Sequence, residues 1–129
     1  MPIATTAFYT AVLALIVTAM GINVTVHRFR YRIMIGDGGN DVLRRMVRIH
    51  GNSAENIPLC ALLMGCYELD GGAKMVLHGA GIALIVGRLL FAGPLWFHDG
   101  PSPIRASGVT LTWATTALLA MLNILQFSS

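Results

Sequence analysis

Four long apolar stretches, divided by three short polar ones, set the pattern of the chain. From Ile3 to Val26 no residue carries a formal charge, a run of about 36 Å as a helix, which is long enough to cross a bilayer with some tilt. The stretch Ile35-Gly36-Asp37-Gly38-Gly39-Asn40-Asp41 is glycine-rich and turn-forming, with Asn40 or Asp41 placed to cap a second helix from Val42 to Tyr67. Gly71-Gly72 breaks the chain again, and a third helix is expected from Ala73 to Leu95. Asp99-Gly100-Pro101 reads as a turn. Ser102 is an N-cap with Pro103 at the first helical position, and the last helix reaches Phe127. These elements use nearly all of residues 1–129, so the expected fold class is all-α, a single integral membrane four-helix bundle.

Composition agrees with the pattern. Of 129 residues, 55% are hydrophobic and 12% charged, against roughly a quarter charged in an ordinary soluble domain. The first segment lacks the basic start and small-residue cleavage site of a signal peptide, so it is expected to remain attached. Arg28, Arg30, Arg32, Arg44, Arg45 and Arg48 fall in one short stretch interleaved with apolar runs. With no aromatic stacking platform beside them, they read as a topology signal and not as a nucleic-acid surface. By the positive-inside rule that connection and the one from His98 to Arg105 are cytoplasmic, and both termini lie on the opposite side.

The second helix carries Arg45, Arg48, Asn52 and Glu55 at spacings that place them on one face, Glu55 only about 20° from Arg48. Glu55 lies about 15 Å beyond Arg45, and Arg88 lies at a similar depth from the same side. A lone charge at that depth is costly, so the expectation is a Glu55–Arg88 ion pair inside the bundle. The stripe supplies more donors than one carboxylate can use, which suits an anionic ligand with several carboxylates. Gly79, Ala83 and Gly87 form a small-residue ridge for close helix packing. Cys60 and Cys66 read as inert membrane thiols, and His27, His50, His78 and His98 are too scattered for a metal site. Thr110, Thr112, Thr115 and Thr116 read as groups bonded back to their own helix.

The run Arg44-Arg45-Met46-Val47-Arg48-Ile49-His50-Gly51-Asn52-Ser53-Ala54-Glu55-Asn56-Ile57-Pro58 resembles the Arg-x-x-x-Asn-x-x-Glu-x-x-Pro signature of the MAPEG family, the membrane-associated proteins in eicosanoid and glutathione metabolism. Gly36-Asp37-Gly38-Gly39, Gly87-Arg88 and Pro103-Ile104-Arg105-Ala106-Ser107-Gly108 extend the resemblance across the chain, which is most similar to the small bacterial members. The resemblance implies a homotrimer in the inner membrane that binds glutathione as co-substrate between subunits near the cytoplasmic side. It also implies that Arg48, Asn52, Glu55 and Arg88 bind glutathione, and that Arg105 is the catalytic residue that activates the thiol. A guanidinium in the first helical turn would favour the thiolate, the attacking species.

The chain departs from the eicosanoid and transferase pattern at Asn56, where they often carry Tyr, and at Phe91 and Leu95. Two functions are therefore compatible with the residues. One is a glutathione-dependent transferase or peroxidase acting on lipophilic small molecules that partition from membrane lipids. The other is a non-catalytic lipid- or ligand-binding protein on the same scaffold. A small drug/proton antiporter fits poorly, because such transporters need a glutamate in a first helix that here has no charge.

Overall fold

The computed structural model describes residues 1–128 as four helices: α1 (Ala4–Tyr31), α2 (Asp41–Leu69), α3 (Lys74–Phe97) and α4 (Pro103–Phe127). α1, α3 and α4 are each long and apolar enough to cross a membrane. α2 is as long, with 29 residues, but Arg44, Arg45, Arg48, Asn52 and Glu55 make its first half too polar for that criterion. It nevertheless runs the full depth beside α1. At one end Thr5 N and Thr6 N donate to the two carboxylate oxygens of Glu68 (3.0 and 2.7 Å), and further along Gly21 of α1 faces the His50 ring.

The expected boundaries hold within a few residues, except that α1 continues past Val26 to Tyr31. The caps act as the sequence suggests. Asn40 Oδ1 accepts from Leu43 N at 2.8 Å, and Ser102 Oγ accepts from Arg105 N at 3.3 Å, with Pro103 in the first turn. The turn ahead of α2 needs its glycines, since Gly36, Gly38 and Gly39 take φ of 65°, 56° and 76°. Arg28 of α1 fastens this turn by donating to the carbonyls of Ile33 (3.2 Å) and Gly36 (2.8 Å). Pro58 and Pro94 sit inside α2 and α3 without ending them, as neighbouring helices permit in a membrane bundle.

α2 and α3 touch each other, and each touches both outer helices, whereas α1 and α4 do not meet among the described residues. The two helices that carry intramembrane charge therefore occupy the centre. The core divides into two apolar clusters. One, built around Leu13, Ile57, Met64, Leu77 and Leu119, fills the end with the chain termini. The other, built around Met20, Leu43, Met46, Ile49, Phe91 and Leu95, fills the arginine-rich end. The remaining fully buried side chains form a polar set: Arg88, Ser53 and Thr112.

The small-residue ridge works differently from its sequence reading. Only Gly87 meets another helix backbone: a Cβ there would lie 3.0 Å from Gly108 O, and one on Gly108 would lie 2.6 Å from Gly87 O. Gly79 faces open space, and Gly81, off the ridge, is the glycine that seats the Tyr9 ring. Packing of α1 against α3 sets this second contact, which four-residue spacing cannot reveal.

Candidate functional site

The Gly87–Gly108 approach determines the setting of the next residue on α3. Arg88 is 0% exposed, and one of its terminal nitrogens donates to Thr112 Oγ1 on α4 at 2.6 Å while the other donates to the Asn52 side-chain oxygen on α2. Its guanidinium carbon also lies 5.4 Å from the centre of the Phe91 ring. Thr112, Thr115 and Thr116 return their hydroxyls to the carbonyls one turn back, as expected, at 3.0, 2.8 and 2.8 Å. Thr112 additionally joins the arginine. Cys60 Sγ stands 3.0 Å from Thr116 Oγ1, extending this polar layer, and both cysteines are free thiols.

The expected Glu55–Arg88 ion pair does not form. Depth was matched but direction was not: Glu55 is exposed on the outer surface of α2, whereas Arg88 points inward and takes neutral partners. Among the described residues the only ion pairs join Arg44 to Asp41 (3.0 Å) and to Asp99 (2.7 Å). The Asn52 side-chain oxygen serves Arg88, and its carbonyl accepts from Asn56 Nδ2 at 2.7 Å.

Two of the expected residues do converge. Arg48 of α2 and Arg105 in the first turn of α4 line one cleft of about 320 Å³ together with Phe91, Leu95 and Asp99. No ion pair within the described chain engages either guanidinium. Phe91 both lines this cleft and lies beside Arg88. Asp99, in the α3–α4 turn, is held by Arg44 Nη2, and that hydrogen bond keeps its carboxyl below the usual carboxylate range. The same contact ties the α3–α4 turn to the start of α2, placing both arginine-bearing connections at one end of the bundle.

Arg105 lines a second depression of about 620 Å³, which runs along α4 past Ala106, Val109 and Thr110 to Trp113. Trp113 is 63% exposed. A charged cleft and a largely apolar groove thus share one guanidinium.

Sequence reasoning named Arg48 and Arg105 as site residues and Phe91 and Leu95 as departures from the family pattern, but not Asp99. Phe91 and Leu95 were visible as one face, lying three and seven residues after Arg88. No sequence signal assigned Asp99 or Arg44 a place at the cleft, because their meeting spans 55 positions.

A bundle of four helices, three of them apolar enough to cross a membrane, with an arginine-lined cleft at one end, defines a class of small helical membrane proteins. The chain belongs to the MAPEG family, whose model matches residues 6–125. It is 35% identical to the inner membrane protein YecN of Escherichia coli strain K12 over 119 residues, which are 92% of this chain and 88% of that protein. The protein of the same name from Escherichia coli O6:H1 is equally similar. No solved structure matches the chain.

Proposed function

We propose that the protein is an inner-membrane, glutathione-dependent transferase or peroxidase acting on lipophilic electrophiles, with glutathione held near the cytoplasmic side. The observation that carries this reading is the position of Arg105, shared by the cleft of Arg48, Phe91, Leu95 and Asp99 and by the apolar groove ending at Trp113. A peptide carboxylate pairs with Arg48 in the cleft, and an apolar acceptor reaches the groove from lipid. Their reacting atoms then meet at Arg105. Its guanidinium stabilises the glutathione thiolate, whose sulfur attacks the electrophilic carbon. A sulfur–carbon bond forms, the leaving group departs with the electron pair, and the thiol proton passes to solvent.

Assembly as a homotrimer belongs to the same proposal. Arg44, Arg48, Glu55, Leu59, Leu62 and Cys66 all lie exposed along α2 at spacings of four, seven, four, three and four, which draws one seam down the helix. A carboxylate in that seam is expensive against lipid, and a neighbouring copy that sets a seam arginine such as Arg48 beside it lowers the cost. Glu55 then acts from the subunit boundary, and Arg88, held by Asn52 and Thr112, acts as a positioning residue beside Phe91.

Purified protein is expected to accelerate conjugation of a chlorodinitrobenzene-type electrophile with glutathione, and Arg105→Ala to abolish the acceleration. A rate no higher than that in solution, unchanged by Arg105→Ala, rejects the enzymatic reading. The second reading, a non-catalytic ligand-binding protein, is favoured by one feature: Phe91 and Leu95 give the cleft wall no hydroxyl group. Glutathione binding without turnover would select it.

A further inference from the structure

We infer that Asp99 is the ammonium-binding group of the cleft, so that the cleft selects a zwitterionic peptide over a polyanion of the same shape. This rests on the glutathione reading and deepens it.

The charges lining the cleft are two guanidiniums, Arg48 and Arg105, and one carboxylate, Asp99; Phe91 and Leu95 complete the lining. A site for a ligand carrying only negative charge would place no carboxylate in its wall, since like charges brought together at an interface cost binding energy. Asp99 is also not consumed by the cleft arginines. Its ion pair is with Arg44, which is not among the residues lining the cleft and is itself braced by Asp41. Arg48 and Arg105 therefore stay open for the ligand's carboxylates or thiolate.

A carboxylate offers about four acceptor positions. Arg44 Nη2 takes one on Oδ2. The remaining positions are free for an ammonium. Arg44 thus holds the carboxylate in the lining of the cleft. Two guanidiniums and one carboxylate in a single lining suit a ligand whose ammonium sits on the same end as a carboxylate, as in an α-amino acid terminus. Asp99 is 49% exposed on its side chain, so the contribution is modest, about fivefold in affinity.

The test uses the full chain in lipid nanodiscs, titrated calorimetrically with glutathione and with its des-amino analogue, in which hydrogen replaces the ammonium. The wild-type protein is expected to bind glutathione about fivefold more tightly than the analogue. Asp99→Asn should erase that preference, and Arg44→Gln, which breaks the clamp but leaves the carboxylate, should keep most of it. Equal affinity of the wild type for both ligands overturns the inference while leaving glutathione binding intact. Retention of the preference by Asp99→Asn also overturns it. Failure of both ligands to bind overturns the glutathione reading and the inference together. The wild-type comparison does not depend on any variant folding.

Discussion

Arg88 and Thr112 meet at 2.6 Å between α3 and α4, at the level where Gly87 and Gly108 bring the two helices together. The hydroxyl also donates to Gly108 O, so one threonine side chain links the buried guanidinium to the glycine contact. A buried cation with only neutral partners depends on each of them, because loss of one leaves a charged donor unpaired away from water.

Thr112→Val is therefore expected to lower stability by about 1.5–3 kcal/mol, the range for a hydrogen bond to a charged group. Thr115→Val should cost less, since the Thr115 hydroxyl only returns to Leu111 O. Thermal unfolding of the two variants in the same detergent compares them directly.

Gly108→Ala should destabilise the α3–α4 pair by about 1–3 kcal/mol, the usual cost of overpacking. The new methyl would lie 2.6 Å from both Gly87 O and Phe91 N, which are backbone atoms and cannot swing aside. Gly79→Ala, facing open space, is the matched control and should leave the midpoint unchanged or raise it slightly.

The Arg44–Asp99 contact gives a pH dependence with a definite sign. The folded-state carboxyl of Asp99 is held below its ordinary value, first by the hydrogen bond from Arg44. Its stabilising contribution is accordingly present above the ordinary carboxylate value and fades as pH falls through the folded-state value. A carbon-13 titration of Asp99 should show its midpoint moving upward in Arg44→Gln. High salt should weaken the contact, because both partners are substantially exposed.

Glu55→Gln tests the outward seam of α2. No ion pair within the protomer engages Glu55 among the described residues, so the variant should fold as well as the wild type. Under the proposed assembly it should alter the oligomer population or the glutathione affinity, read by native mass spectrometry and calorimetry. Wild-type behaviour in both would place Glu55 outside the site.

The sequence alone determined the properties that depend on distance along a single helix. Apolar runs set the number of helices and their approximate length, because 1.5 Å per residue against a bilayer of fixed thickness leaves little freedom. Side-chain capping is local, so Asn40 and Ser102 were readable as helix starts, and Arg105 as a first-turn residue. The order of motifs was enough to suggest the family. Depth was also legible, since Glu55 and Arg88 both stand well inside their helices.

Tertiary structure decided how each helix is turned about its axis. That angle comes from contacts between helices distant in sequence: Gly87 on Gly108, Gly81 under Tyr9, Arg44 on Asp99. It turned Glu55 outward and Arg88 inward to Asn52 and Thr112, and it brought Arg48, Asp99 and Arg105 around one cleft. Helical periodicity shows which residues of a helix share a face. Packing alone fixes which neighbour that face meets, because the energy of close approach depends on the partner's surface as much as on its own.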